Sequence, residues 1–431
     1  GHQITVCWHV YDLLIGHKNH DVVTQFTRWL QQRYETPDKP LKVTRGPIHN
    51  YLGMNINFTP SGSVSFDMIP YITKVITDFP ERITGVASSP AADHLFKIFS
   101  SEEARILSES QAIAFHHTTA QLLLLSRVRR DIQTAVAFLT TRVKAPDEDD
   151  WGKLKRILKY LFGTRFLKLT LSAHSFSILR WYIDASHQIH DDCKGHIGAL
   201  LMLGKGATLS SSNKHKINTK SSTESEIVAV HDKYSDVLWT RHFLEAQGYT
   251  ISENIIYQDN MSSLSLEKDG RISSSKRTKH IKAKYFFIKH YYDSGEINLR
   301  FCPTEQMWAD ILTKPLQGVK FRQMRAFLMN CPTDYSEDPP FVPTIKVESQ
   351  SINPMKPRIK LITPSPRECV EVTSTSLTPI TSSPGGKDLL IPHRSSKKKK
   401  VSWSDQPPRP SSTTLAHGHH KVRRRLIPVA E

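Results

Sequence analysis

Short apolar runs open the chain, and amphipathic stretches follow them. I-T-V-C-W-H-V and Y-L-G-M-N-I-N-F are rich in aromatic and β-branched residues and are expected as strands. V-S-F-D-M alternates, and the Ser-Gly before it is expected to turn a hairpin. Y-I-T-K-V-I-T-D-F repeats at three and four residues, which predicts a helix. A-A-D-H-L-F-K-I reads as a linker. T-T-A-Q-L-L-L-L-S-R and D-I-Q-T-A-V-A-F-L-T-T-R-V read as buried helices. P-D-E-D-D-W-G-K-L-K-R-I-L-K-Y-L-F begins with acids and ends with bases, which suits a helix dipole.

The pattern then changes to alternating strands and helices. F-S-I-L-R-W-Y-I-D, H-I-G-A-L-L-M-L and A-T-L-S-S-S are expected to form a meander. S-S-T-E-S-E-I-V-A-V-H-D begins a long helix behind a Ser or Thr cap. N-I-I-Y-Q-D and I-N-L-R-F-C supply a fourth and a fifth strand. W-A-D-I-L-T is expected as a helix that stops before Pro315. Past residue 335, Pro, Ser, Thr and Lys dominate, and too little apolar surface remains to offset chain entropy. The fold class expected is therefore α/β: an α+β stretch over 1–175, a mixed five-stranded sheet with helices over 176–330, and a disordered basic tail over 331–431.

Charge narrows the partners. The net charge of +17 points to a polyanion, nucleic acid before an anionic membrane. About half of that excess lies in the tail, in K-K-K-K at 397–400 and R-R-R at 423–425. K-K-K-K-V is compatible with nuclear import, so a cytoplasmic or nuclear location is expected. No apolar run nears 18 residues, so no membrane helix is expected, and the first residues lack the pattern of a signal peptide. The chain begins without Met, which fits a start in mid-domain. The five cysteines are scattered, without a C-x-x-C pair, so neither a zinc knuckle nor a disulfide framework is indicated.

Four acids share one setting, a strand end or the face of an adjoining helix: Asp184, Glu226, Asp259 and Asp310. Clustered carboxylates repel and need cations between them. Two Mg²⁺ or Mn²⁺ ions about 4 Å apart meet that need and suit phosphodiester hydrolysis. Taken singly, each acid is more simply a turn or cap residue. His116 and His117 are adjacent, face different ways on a helix, and make a poor metal pair.

Y-I-D-A-S, S-S-T-E-S-E-I-V-A, Y-Q-D-N and M-W-A-D-I-L-T-K-P-L, in that order, resemble the ribonuclease H domain of copia-type retrotransposon Pol polyproteins. K-R-T-K-H-I ahead of Tyr285, Phe286 and Phe287 is a further run of that kind. The resemblance implies the ribonuclease H fold, cleavage of the RNA strand of RNA–DNA hybrids, and a metal-binding tetrad of Asp184, Glu226, Asp259 and Asp310. Glu224 competes with Glu226, but E-I-V-A fits the family's turn better. Lys282 and His215 stand where the family often has an acid and Gln.

C-W-H-V-Y-D-L-L resembles the same family's reverse transcriptase palm box, W-Y-V-D-D-L. H-N-Y-L-G-M resembles the strand pair that follows it, and F-H-H-T-T-A-Q-L-L-L-L-S with R-R-D-I-Q-T-A-V resembles the later thumb and connection helices. Tyr11 stands where the box has its first aspartate, and Asp12 alone remains. A phenol is neutral at pH 7 and does not replace a carboxylate. The expectation is a polymerase remnant over 1–175 with polymerisation lost, and no autonomous transposition.

Lys214, Lys216, Lys220, Lys276, Arg277, Lys279 and His280 are candidates for contacts to hybrid phosphates, which position a nuclease without reading sequence. Two rivals stand beside the nuclease: a non-catalytic nucleic-acid-binding protein, and an unselected retrotransposon relic.

Overall fold

In the computed structural model, residues 3–100, 102–270, 282–334, 358–362 and 369–374 are described. The first stretch holds β1 (Thr5–His9), β2 (Asp12–Gly16), α1 (His20–Tyr34), β3 (Leu41–Arg45), β4 (Ile48–Tyr51), β5 (Met54–Phe58), β6 (Val64–Asp67) and α2 (Ile69–Asp78). Then come α3 (Glu109–Leu125), α4 (Gln133–Thr140), α5 (Glu148–Gly163) and β7 (Leu169–Ala173). The Y-L-G-M-N-I-N-F run, a strand by composition, contains the turn of a hairpin, in line with the resemblance of H-N-Y-L-G-M to a strand pair. Leu52 and Gly53 both take positive φ, 52° and 77°, and that turn joins β4 to β5. α1 and β3 were not anticipated.

Helix starts are chemically defined. Ser108 and Gln111 close a capping box on α3, and Asp147 and Asp150 close one on α5. Both helices, with α2 and α4, feed one large apolar core. A-A-D-H-L-F-K-I forms no helix or strand, as expected of a linker, yet Leu95 and Phe96 are buried in that core.

The second stretch holds β8 (Ile178–Ser186), β9 (Lys194–Met202), β10 (Gly204–Lys205), β11 (Ala207–Asn218), α6 (Ser222–Ala246), β12 (Glu253–Gln258), α7 (Met261–Asp269), α8 (Lys282–Asp293), β13 (Asn298–Phe301) and α9 (Gly318–Met329). W-A-D-I-L-T is a 3-10 turn, Trp308–Leu312, and not the helix expected. A separate 3-10 turn, Thr304–Gln306, comes before it, and Pro315 stops it on the far side.

The sheet order is β11-β9-β8-β12-β13. β11, β9 and β8 form an antiparallel meander, and β12 and β13 add to it in parallel. This is the mixed five-stranded sheet expected from the sequence, three meander strands followed by two reached through helices. One face of the sheet carries Leu179, Trp181 and Ile183 against Ile227, Ala229 and Val230 of α6. The opposite face, through Leu200 and Met202, joins the core built by α3, α4 and α5, so that core runs across residue 175.

Two further sheets lie elsewhere, β10-β7-β6-β5-β4 and β1-β2-β14-β15-β3. The second includes β14 (Arg358–Ile362) and β15 (Cys369–Ser374), two short strands inside the stretch expected to be disordered. Ile359 and Leu361, like Val370 and Val372, alternate with polar residues, which is the strand period. The rest of the tail, with both basic clusters, lies outside the described residues. No helix among the described residues is long and apolar enough to cross a membrane.

Candidate active site

Three carboxylates from three elements meet at one end of this sheet. Asp184 lies within β8, two residues before its end; Glu226 lies in the first turns of α6; Asp259 follows the last residue of β12. β8 and β12 run parallel with Tyr182 opposite Tyr257, so the side chains two residues further on, Asp184 and Asp259, share a face. One oxygen from each of Asp184, Glu226 and Asp259 lies within 4.8 Å of the others.

The start of α6 separates the two competing glutamates. Ser221 caps the helix by accepting from the Glu224 N–H, and the Glu224 carboxylate turns back to accept from the Lys220 N–H at 2.8 Å. Glu226 is one half-turn further on and faces the sheet. Its Oε1 accepts from the Ala185 N–H at 3.3 Å, while its buried Oε2 has no hydrogen-bond partner among the described residues.

Asp310 reaches the neighbourhood from the Trp308–Leu312 turn. That turn approaches the sheet over Gly198, which pairs with Asp184 across β8 and β9. A Cβ at Gly198 would lie 2.7 Å from Thr313 Cγ2 and 2.8 Å from the Ala309 carbonyl oxygen, so no larger residue fits without movement. Two carbonyls of the turn are tied down. Thr134 of α4 donates to that of Ile311 at 2.6 Å, and Ser212 of β11 to that of Leu312 at 2.7 Å.

Asp310 is fully buried but is not part of the three-carboxylate group. Lys314 Nζ lies 2.5 Å from its Oδ1, and Lys320 Nζ lies 2.9 Å from its Oδ2. Lys314 also stands 3.8 Å from Asp184 Oδ2, which accepts the Thr313 hydroxyl. Thr304 donates to Asp259 Oδ2 at 3.0 Å. Sequence reasoning singled out none of Gly198, Thr313, Lys314 and Lys320. The T-K-P-L end of the fourth motif carried the only signal for two of them.

Electrostatics follow from burial. Desolvation pushes Asp184 up to about 6, opposed by Lys314 and reinforced by the negative charge of Asp310. Burial, then the charges of Asp184 and Asp259, holds Glu226 well above the usual carboxylate range. Burial would lower the Lys314 ammonium, but the facing Asp184 and Asp310 more than reverse that. Such a site is short of positive charge. A hard divalent cation fits its all-oxygen donor set and the vacant Glu226 oxygen.

The candidate phosphate contacts divide. Lys216 and Lys220 are exposed, and Lys214 pairs with Asp192 at 2.9 Å. Lys276, Arg277, Lys279 and His280 lie outside the described residues. At the other end of the chain, His9 pairs with Asp12 around a two-residue turn of Val10 and Tyr11, with Val10 at φ 49°. Tyr11 is exposed, and Asp12 belongs to no group of three metal-holding side chains among the described residues.

Comparison with known proteins places the chain among relatives. No family model matches it. It is 28% identical over 324 residues to the retrovirus-related Pol polyprotein from transposon TNT 1-94 of Nicotiana tabacum, covering 74% of this chain and 24% of that protein. It is 35% identical over 208 residues to the Pol polyprotein from transposon RE2 of Arabidopsis thaliana, covering 47% of this chain and 14% of that protein. The chain thus spans a quarter or less of the length of these relatives. Among solved structures, LC11-RNase H1 in complex with an RNA/DNA hybrid matches over 31% of this chain and 93% of that one, at 16% identity and a TM-score of 0.25.

Proposed function

We propose that this chain, a relative of copia-type retrotransposon Pol polyproteins, is a ribonuclease H that cleaves the RNA strand of RNA–DNA hybrids. One observation carries the reading: Asp184, Glu226 and Asp259 converge from three separate elements to within 4.8 Å, with a buried Glu226 oxygen left unpartnered. Asp184, Glu226 and Asp259 would hold Mg²⁺ or Mn²⁺. The bound ion would supply an activated water and charge stabilisation at the scissile phosphate.

The chain's own residues do the rest. Thr313 and Thr304 orient Asp184 and Asp259 through their hydroxyls. The sheet and α6 keep water from the inner side of Glu226, which is buried. Lys216 and Lys220, exposed on and just after β11, would meet the phosphates of the hybrid and set its register. The two-ion form of the mechanism requires Asp310 to exchange Lys314 and Lys320 for a cation.

Loss of polymerisation is part of the proposal. It rests on Tyr11, a neutral phenol in the place of an aspartate in the palm-like box. Import into the nucleus through the 397–400 lysines is a further part, tested by the location of a tagged chain with and without them.

A second reading has an observation of its own. The two ammonium groups on Asp310 favour a chain that grips hybrids without cutting them. Mg²⁺-dependent cleavage of a labelled RNA–DNA hybrid by the full chain, beside an Asp184→Asn control, separates the two. Cleavage by the wild type alone, leaving 3′-hydroxyl and 5′-phosphate ends, supports the nuclease. Binding by a folded protein with no cleavage in Mg²⁺ or Mn²⁺ refutes it.

A further inference from the structure

The four acids expected to act alike are not alike in this fold. Glu226 Oε2 has no partner among the described residues, whereas both oxygens of Asp310 are taken by ammonium groups, Lys314 at 2.5 Å and Lys320 at 2.9 Å. The two lysines come from different elements. Lys314 is held one turn after Asp310, where its N–H donates to the Asp310 carbonyl at 2.9 Å. Lys320 projects from the first turn of α9. Lys314 is the more intimate of the two because it also faces Asp184 at 3.8 Å. A positive charge lodged between these two carboxylates stands where a cation bridging them would stand.

Formal charge gives the same answer. With all four carboxylates ionised, as an ion-holding site would have them, Asp184, Glu226, Asp259 and Asp310 would carry four negative charges against the two positive ones of the lysines. The excess of two matches a single divalent cation. Without the lysines it would match two.

We infer that the Lys314 ammonium, backed by Lys320, is a built-in cation that takes the place of a second divalent ion, so that the free chain binds one ion and not two. The inference rests on the reading of Asp184, Glu226 and Asp259 as the metal-holding set, and it deepens that reading. Lys314 is then a positioning residue in the free protein. Its side chain is partly exposed, 39%, so it can turn from Asp310 toward a phosphate of the bound strand.

Calorimetric titration of the full chain with Mn²⁺ alone tests this, with ions bound elsewhere removed by subtracting an Asp184→Asn chain of the same background. The wild type should exceed its blank by one ion. A Lys314→Met, Lys320→Met chain should exceed its own blank by two, and Lys314→Arg, which keeps the charge, should remain at one. Two ions in the wild type, or one in the double variant with an intact circular dichroism spectrum, would overturn the inference. If the double variant does not fold, Lys314→Gln replaces it: a second ion supports the inference and one ion overturns it. The readout is independent of cleavage. A chain that binds one ion and gains a second in the variant, yet cuts no hybrid, upholds the ion count while refuting the nuclease. A chain that cuts and binds two ions does the reverse.

Discussion

Replacing Asp184 by Asn should remove cleavage and make the metal-free protein more stable. Asp184 is 2% exposed, and burial together with the charges of Asp310 and Asp259 raises it from 3.8 to about 6. The attraction of Lys314 is already included in that balance. A rise of this size means that the ionised carboxylate costs the fold about 3 kcal/mol relative to the unfolded chain. Asn removes the charge, fills the same volume, and still offers an oxygen to the Thr313 hydroxyl.

The sign can be followed with pH. The folded state binds the Asp184 proton more tightly than the unfolded state does. Below about pH 4 both states are protonated and there is no penalty. Between pH 4 and 6 the wild type loses stability as the unfolded chain ionises first, and above about pH 6 the loss is complete. The variant should therefore gain about 2–3 kcal/mol at pH 8, roughly 5 °C in Tm, and almost nothing at pH 4. Thermal melts of both proteins in chelator, across that range, measure the difference. Adding Mg²⁺ at pH 8 should then stabilise the wild type and leave the variant unmoved, because binding to the folded state alone raises stability. A variant that is less stable at pH 8, or that gains equally at pH 4, would show that Asp184 is not a strained buried carboxylate.

Gly198→Ala should cost about 1–3 kcal/mol, because its Cβ would press on Thr313 and the Ala309 carbonyl. The same push would move Asp310, so cleavage should fall on the order of tenfold to a hundredfold; urea melts and initial rates check both, and a silent variant rules out the close approach. Arg129→Met should destabilise by about 3–5 kcal/mol, since it strands the buried Asp131 that Arg129 grips at 2.7 and 3.0 Å. Chemical denaturation measures it, and a loss below about 1 kcal/mol would contradict the pairing. Lys216→Ala with Lys220→Ala should weaken hybrid binding evenly across sequences and lower the salt slope by roughly one per lysine. Fluorescence anisotropy at several salt concentrations reads this, and an unchanged slope takes both lysines off the path of the strand.

How much of this could be read from the chain varied with the kind of signal. Local patterns served best where one short stretch carries the whole message. Short apolar runs rich in β-branched and aromatic residues placed β8, β9, β12 and β13. The Ser cap before E-S-E-I-V-A placed the start of α6, where the capping bond to Ser221 is found. The same local logic failed where the backbone had to reverse within a run of good strand formers. By composition Y-L-G-M looked continuous, yet the chain turns at Leu52 and Gly53; Gly53 takes its positive φ freely, while Leu52 adopts one that is uncommon outside glycine. It failed again at Trp308–Leu312, which is a second short 3-10 turn after Thr304–Gln306 and ends ahead of Pro315.

The sequence by itself determined which residue types were present and on which elements they would ride: four acids at strand ends or on adjoining helices, a basic net charge, and a palm-like hairpin with Tyr11 in place of an acid. It could do so because period and capping are properties of neighbouring residues. Only the tertiary structure decided which carboxylates meet. Asp184 and Asp259 share a face because β8 and β12 pair in parallel, with Tyr182 opposite Tyr257. Glu226, and not Glu224, joins them because Glu224 is spent on the helix start. Asp310 comes close because Gly198 leaves space for its turn, and it comes paired with Lys314 and Lys320. Those contacts join residues far apart in the chain, and their energies depend on burial and distance, which no linear pattern records.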